Sequence, residues 1–430
     1  MQSSDPQRFF ETDAAQELRE RRAAKSSNKY GNPVALKSKV LAVLADPTSA
    51  EHVFVAESAG SARRVNVDDT EADSKAASSG SYRGPTAPVT CLALGGPGGK
   101  TLFAGCWDKS IWSFDRDTRQ QGIKFSGHTD FVKAVVAGRL GGLDVLISGG
   151  ADKKIIVWDV ASGKRLHTLQ DSGPTVSDRQ SMLAVQDLAI DPVATTTDEI
   201  LLVSASSDPH IRRWRVRLDG WEQVVESEGE DETKKASKSL LAHETTVYKV
   251  VFDDSNYSGD GDDDEDVDLW TSSADGTAKC LSRMHGFKHN ASGEGNTYQH
   301  GNHARTVAVT DAWVITAGRD EDLQFWDRAG SSDDNSNSRY ATVTGHFDEV
   351  TDLVVLADRR RLCSVSLDGT VRTWPLAKAE LDAIIKQQAE DREKAAAGAV
   401  SVEETKADDE PEDLMTAEEE AELAALMEDD

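Results

Sequence analysis

Three short stretches of this 430-residue chain carry the residue types from which reactive sites are made. The first runs from Leu94 to Thr101 (LGGPGGKT) and has the glycines and Lys-Thr pair of a phosphate cradle. A P-loop needs four residues between its first glycine and the Gly-Lys pair, and Gly95 is one position too near Gly99. The residues that follow, LFAGCWD, read as a strand, whereas a phosphate cradle needs a helix N-terminus to present its amides. A tight turn between strands is therefore expected. In the second stretch, His285, His289, His300 and His303 crowd together downstream of Cys280. Imidazole and thiolate are zinc ligands, but these spacings match no zinc finger, and the segment reads as a Gly/Asn-rich loop. The third, Asp260-Gly-Asp262-Asp-Asp264, begins like a calcium loop, yet offers Glu265 where glycine is needed and Thr271 where a bidentate Glu is needed. Neither a GxSxG elbow nor an HExxH helix occurs, and no acid/base pair belongs to a plausible pocket. The expectation is no catalytic residue, no metal and no cofactor, and so no enzyme.

A different set of polar residues does recur. Gly127-His128 is followed by VKAVVAG and LDVLISGGADKKIIVWDVASGKRLHTL, with landmarks Ser148, Asp152, Trp158 and Asp159. Gly345-His346 is followed by VTDLVVL and RRLCSVSLDGTVRTW, with Ser364, Asp368 and Trp374. In both, Ser stands four residues before the Asp and Trp six after it. The same offsets find Ser204, Asp208 and Trp214, then Thr316, Asp320 and Trp326, and in weaker form Ala104, Asp108 and Phe114, and Thr271, Asp275 and Leu281. Successive Asp residues are 44, 56, 67, 45 and 48 apart, which fits a repeat of about 40–45 residues with insertions. Polar turns between short alternating runs are the pattern of antiparallel strands.

On these residues the stretch 32–376 resembles the WD40-repeat family. The resemblance implies an all-β, seven-bladed propeller, and the periodicity and composition beyond it read as a helical and disordered acidic C-terminal extension. It also implies that the GH His, the strand Ser or Thr, the turn Asp and the Trp form one buried hydrogen-bonded set per blade. His128, Ser148, Asp152 and Trp158 make one complete set, and His346, Ser364, Asp368 and Trp374 another. Ser204, Asp208 and Trp214, like Asp320 and Trp326, belong to partial sets, and His303 is a candidate for the missing histidine of the latter. The blade around Asp275 lacks its Trp. A seventh, degenerate blade is expected over 39–68, with Gly60 near the turn, and residues 32–38 are expected to add the strand that joins the ring's two ends. The expected organisation is a polar, partly helical extension over 1–30 and a propeller over 31–376. Its blades fall near 36–68, 87–125, 127–170, 174–225, 240–283, 300–329 and 341–376. A helix over 377–397 and an acidic tail over 398–430 ending in a short helix complete the chain.

The net charge of −28 is concentrated in two places. Residues 401–430 contribute −13 and residues 253–268 contribute −9, so the remainder is only mildly acidic. Nucleic acid is a poor main partner, because phosphate binding relies on Lys and Arg releasing counterions. Residues 69–86 read as a connection, and 226–238 and 253–268 as long solvated loops. The cysteines Cys91, Cys106, Cys280 and Cys363 form no CxxC pair, which favours reduced thiols. Met1-Gln-Ser-Ser-Asp-Pro lacks a signal-peptide pattern, and no apolar run reaches the ~20 residues a membrane span needs. Cytoplasm or nucleus is expected, with no membrane.

The resemblance further places two kinds of residue on the narrower face of the ring: the one before each turn Asp, and those flanking the Val that opens an inner strand. Among these, Trp107, Phe131, Lys133, Tyr248, Arg319, Glu349 and Leu367 are the expected partner-binding residues. The expected function is a non-catalytic protein-interaction scaffold or adaptor, present once within an intracellular hetero-complex. It binds proteins or peptides through this face and, through the acidic loop and tail, a basic protein. Two alternatives stand beside it. One is a chaperone-like escort of a basic protein of ribosomal or histone type. The other is a substrate receptor of a ubiquitin ligase, some of which carry Trp-Asp-x-Arg. Here Trp214-Arg-Val-Arg217 lacks the Asp, and in Trp326-Asp327-Arg328 the Arg comes one place early.

Overall fold

Short runs of β-branched and aromatic residues, each ended by a polar turn, fold into seven antiparallel sheets arranged in a ring. The structure is a computed structural model describing residues 13–69, 80–171, 181–225, 239–253, 267–287, 297–328 and 339–407. Blade 1 comprises Val40–Ala45, His52–Glu57, Ser61–Asn66 and Ser81–Arg83. Blade 2 comprises Val89–Gly95, Thr101–Cys106, Ser110–Asp115 and Gln121–Ser126. Blade 3 comprises Val132–Leu140, Leu143–Gly150, Ile155–Asp159 and Arg165–Leu169. Blade 4 comprises Val185–Ile190, Ile200–Ser206, His210–Val216 and Trp221–Gln223, with Leu240–Leu241 as a fifth strand. Blade 5 comprises Val247–Phe252, Leu269–Ser273, Thr277–Leu281 and Thr297–Gln299. Blade 6 comprises Ala304–Val309, Trp313–Gly318, Leu323–Asp327 and Arg339–Val343. Blade 7 comprises Val350–Val355, Arg361–Ser366 and Thr370–Pro375, completed by Val34–Ala35 from the N-terminal side.

The core lies between neighbouring blades. Ala134, Ile147, Ile155 and Val157 of blade 3 pack on Val185, Leu188, Leu202 and Trp214 of blade 4, all buried. Burying such a side chain contributes about 1.5–3 kcal/mol. The second strand of each sheet is sandwiched and reads as a continuous buried run, as in Ile200–Ser206, whereas the outer strand Gln121–Ser126 is almost wholly exposed. Blades approach so closely that a Cβ on Gly105 would lie 2.3 Å from Cys91 Sγ and 2.9 Å from Val132.

Outer strands fall where the sequence shows little apolar signal. Ser81–Arg83 lies within what read as the 69–86 connection and beyond the 36–68 range, and Thr297–Gln299 and Arg339–Val343 lie beyond 240–283 and 300–329. An outer strand packs on one side only, so polar residues suffice. The loops 226–238 and 254–266 lie outside the described residues.

The seam is in blade 7. Val34 pairs with Val371 and Ala35 with Thr370. The Leu36 amide donates to Gly369 O (2.8 Å) and the Thr373 amide to Gly31 O (2.8 Å). Gly31 has φ +72°, and a Cβ there would sit 2.8 Å from the Trp374 ring. Before the seam, helix α1 (Asp13–Ser26) has no apolar face. It is held by charge: Arg21 to Glu321 (2.8 Å), Arg22 to Asp348 (2.7 Å), and Lys25 to Glu321 and Asp322 (3.1 and 3.4 Å).

Helix α2 spans Lys378–Ala407, ten residues past the expected end at 397. Its extra turns mix the strong helix formers Ala399, Glu403, Glu404, Lys406 and Ala407 with the weaker Gly398, Val400, Ser401, Val402 and Thr405. Residues 408–430, with the short helix expected there, lie outside the described residues. The propeller unit ends at Leu381, and the remainder forms a separate unit. No helix among the described residues is long and apolar enough to cross a membrane.

Gly31→Val should destabilise the seam by about 2–3 kcal/mol, from the left-handed backbone and the clash together. Thermal unfolding by circular dichroism checks this, and a chain begun at residue 36 should melt lower still.

A candidate partner-binding face

Side chains that could do chemistry are mostly consumed inside the blades. In blade 3, His128 Nδ1 lies 2.9 Å from Asp152, His128 Nε2 lies 2.8 Å from Ser148 Oγ, and Trp158 Nε1 donates to that oxygen at 2.9 Å. An ionised Asp only accepts, so Nδ1 carries the proton, Nε2 accepts from Ser148, and Ser148 accepts from Trp158. Blade 7 repeats this with His346, Asp368 (2.9 Å), Ser364 (2.7 Å) and Trp374 (2.9 Å). In blade 5, His243 reaches Asp275 (2.9 Å) and Thr271 (2.8 Å), and Leu281 stands where Trp would. In blade 6 the ring is turned over: His300 Nδ1 faces Thr316 (2.9 Å), Nε2 faces Asp320 (3.0 Å), and Trp326 donates to Thr316 (3.0 Å).

The blade-6 histidine is thus His300, not the expected His303. All four histidines stand four residues before the first residue of the inner strand: Val132, Val247, Ala304 and Val350. That spacing finds His243 and His300, which the Gly-His dipeptide misses because Ala242 and Gln299 precede them. Using His300 in this way removes it from the 285–303 cluster. His289 lies outside the described residues, and among those described no three His, Cys, Asp or Glu are placed to hold a metal.

The other blades substitute. In blade 4, Trp214 Nε1 donates to Ser204 (2.8 Å), while buried Arg212 replaces the histidine, donating to Asp208 (3.1 Å) and Ser206 (3.3 Å). In blade 2, Trp112 Nε1 donates to Asp108 (2.8 Å) and Lys124 lies over the Trp112 ring. Burial opposes the charge on Asp152, Asp208, Asp275 and Asp368, but their hydrogen bonds outweigh it and hold each below the usual carboxylate range. Burial likewise holds His346 below its ordinary value. The His128, His243, His300 and His346 side chains are fully covered. Burial also pushes the Cys91 thiol up to about 12 and Cys106 up to about 11, which leaves neither a ready nucleophile.

A repeated backbone bond defines one rim of the ring. The residue before each turn Asp donates its amide to the residue leading into the inner strand. The pairs are Trp107 to Pro88, Ala151 to Phe131, Ser207 to Ala184, Ala274 to Thr246, Arg319 to His303 and Leu367 to Glu349, at 2.8–3.2 Å; Ser58 to Lys39 completes the circle. On this rim Trp107 (42% exposed) and Phe131 (37% exposed) stack at 4.9 Å with an interplanar angle of 16°. Lys133 donates to Gln186 Oε1 (3.1 Å), and Arg305 lies 4.4 Å over the Tyr248 ring. Glu349 is 3.9 Å from Arg305. Arg319 is exposed in a turn, next to the Glu321 that holds α1, and Leu367 is half-buried.

Sequence reasoning did not find Arg305 or Gln186. Ala304 opens the blade-6 strand instead of Val, and blade 4 has no histidine to mark the approach, so the rule keyed on those residues skipped both. The ligase-type arginines lie elsewhere and are engaged: Arg217 with Glu199 (2.7 Å) and Arg328 with Asp253 (2.5 Å).

Comparison with known proteins adds three repeats recognised by the family model for "WD domain, G-beta repeat", at residues 77–115, 119–159 and 337–375. The chain is 27% identical over 386 residues to an uncharacterized WD repeat-containing protein of Schizosaccharomyces pombe, covering 87% of this chain and 90% of that protein. It is 23% identical over 298 residues to the nuclear distribution protein nudF of Aspergillus niger, covering 69% of this chain and 51% of that one. It is 32% identical over 98 residues to the small ribosomal subunit protein RACK1y of Oryza sativa, covering 23% and 28%.

The buried sets make stability pH-dependent in a definite direction. His346, held below its ordinary value, stabilises the fold fully above the unfolded histidine value of about 6.5 and progressively less as pH falls below it. The depressed aspartates stabilise above about 4, and that part is lost as pH falls through their folded values. The melting temperature should be flat between pH 7 and 8, decline below about 6.5, and fall steeply below about 4. In a His346→Gln chain the first part of the decline should shrink.

Proposed function

We propose, from the premise that this chain is a seven-bladed WD40-repeat β-propeller, that it is a non-catalytic protein-interaction scaffold whose narrower face holds a segment of a partner protein. The observation that carries this is the Trp107–Phe131 pair. A folded domain buries large aromatics where it can, yet these two stack in solvent on adjacent blades. Exposed Trp with nearby Arg and Lys is the composition of binding hot spots. Tyr248, Lys133 and Arg319 extend the surface, with Glu349 and Leu367 at its far side. Helix α1 engages blades 6 and 7, which leaves the arc around blades 2 and 3 for a partner. Membership of a larger assembly, in cytoplasm or nucleus, agrees with the names of the nuclear distribution and ribosomal-subunit relatives.

A second reading, escort of a basic protein, has one specific support. Glu321, Asp322 and Asp348 form an acidic ledge that already takes a basic helix, α1. Most of the acidic residues in 253–268 and 401–430 lie outside the described residues. Attraction of this kind weakens steeply with salt.

Affinity purification with quantitative mass spectrometry separates the two. Trp107→Ala/Phe131→Ala should reduce partner retention at least about tenfold, the loss typical of removing a hot spot, with the melting temperature unchanged. Full retention by a folded double variant would reject the face. A single basic client, lost at raised salt and indifferent to the double variant, would favour the escort reading.

A further inference from the structure

The inner strands share an irregularity that gives the mouth of the central channel its own chemistry. In every blade the register slips after the strand's first residue: at Val40/Ala42, Val89/Cys91, Val132/Ala134, Val185/Asp187, Val247/Lys249, Ala304/Thr306 and Val350/Asp352. Each first residue is fully buried, and the residue skipped by the slip is re-aimed, as bulges do. The skipped residues are Leu41, Thr90, Lys133, Gln186, Tyr248, Arg305 and Thr351, and all seven line one cavity of about 400 Å³. They form a collar at the ring's axis.

The collar contains two cations and no carboxylate. Lys133 donates to a neutral amide, Gln186 Oε1 (3.1 Å), and makes no ion pair among the described residues. Burial, and then Arg305 across the same cavity, push its ammonium below the ordinary lysine range, as expected for a cation short of a counter-charge. Arg305 lies on the Tyr248 face, and its one ion pair among the described residues is with Glu349 at the lip, 3.9 Å away and about one-third exposed. The layer beneath is different. Lys249 lies 3.2 Å from Asp352 and 3.9 Å from Asp187, and burial pushes Asp187 above the ordinary carboxylate range, so this trio adds no positive charge. A cationic collar over a floor whose one lysine is already paired to carboxylates suits one carboxylate at the mouth and disfavours a polyanion reaching into the channel.

We infer that the channel mouth receives an Asp or Glu side chain of the bound partner segment, held between Lys133 and Arg305. The inference rests on the reading of this face as a protein-binding surface, and it names the partner's chemistry there. Phe131 stands two residues before Lys133 and stacks on Trp107, so an apolar side chain of the same segment meets the aromatic pair while the carboxylate enters the collar. A peptide offers both groups at a spacing of a few residues, which a free anion does not.

The test is selection of a random 12-residue peptide library on the full chain, followed by Kd measurement for a selected peptide and its Glu→Gln counterpart. The library is also selected on Lys133→Gln/Arg305→Gln, on Lys133→Gln alone, and on Trp107→Ala/Phe131→Ala, each first shown by its melt to be folded. The expected result is a consensus with one acidic position beside an apolar one, and at least about tenfold weaker binding of the Gln peptide, the scale of one charge-assisted pair. The acidic preference should vanish in the lysine and lysine/arginine variants while the apolar preference persists. The aromatic variant should do the reverse. Peptides selected without an acidic position, or an acidic position that survives in Lys133→Gln/Arg305→Gln, would overturn the inference and leave the face reading standing. Failure to enrich any peptide would overturn both. Tight binding of inorganic phosphate or polyphosphate, lost in Lys133→Gln and without acidic peptides, would assign the collar to a free anion and overturn it too.

Discussion

A ring of sheets has to close through a full turn, and in this chain nothing covalent joins the ends. Closure depends on two residues, Val34 and Ala35, pairing with the third strand of blade 7. A net contribution of about 0.5–1.5 kcal/mol per hydrogen bond makes so short a ladder weak alone. The chain around it compensates. Val34 and Leu36 join the apolar cluster of Val40, Val365 and Val371 between blades 7 and 1. Arg372 Nη1 donates to Asn28 Oδ1 (2.8 Å) and Tyr30 O (2.5 Å), and Gly31 lets the backbone lie against Trp374. Burial holds Arg372 down to about 10, and its Nε donates in turn to Thr370 Oγ1 at 3.2 Å. Helix α1 adds ion pairs whose exposed members are individually worth little, although they cover Glu321, whose own side chain is buried.

Closure brings the seven inner strands to a common axis, and the bulge at each strand's second position follows one rule around the circle. The backbone is therefore generic while the composition is particular. Leucine, two threonines, glutamine and tyrosine could occupy such a collar in many propellers. The lysine and arginine, with Lys249, Asp187 and Asp352 beneath them, give this mouth a sign opposite to the chain's overall charge of −28. A partner drawn to the acidic segments and one drawn to the collar would thus differ in charge, and a single molecule could carry both: a basic tract beside an acidic residue.

The repeat was legible because its signal is chemical. Ser148, Asp152 and Trp158 sit at fixed offsets since a buried hydrogen-bonded set tolerates no slippage, and the offsets shared with Ser364, Asp368 and Trp374 recovered Asp208 and Asp320. Degenerate sets lost that legibility gradually. His243 and His300 lack a preceding glycine, and Arg212 performs the histidine's part with different atoms. Outer strands such as Ser81–Arg83 escaped because a strand packed on one side imposes little pattern. At the face, Trp107 and Phe131 were expected as surface residues on neighbouring blades, but their stacking is a property of the rim's curvature, which no local spacing encodes. Arg305 was hidden by Ala304, one methyl-bearing residue where valine is usual.

The seam also has a consequence for how the chain comes into being on the ribosome. Val34 leaves the ribosome 337 residues ahead of its partner Val371. At roughly 5–20 residues per second, that is a wait on the order of tens of seconds. Throughout it, blade 1 has an uncovered apolar flank and residues 34–35 have unpaired backbone. The nascent protein is thus an open fan, able to add the strand edge of any neighbour before its own, and a newly made copy nearby offers the same edge. Slow translation of the last blade would lengthen that exposure, so exchange of the N-terminal strand between copies is the misassembly to which this architecture is most open.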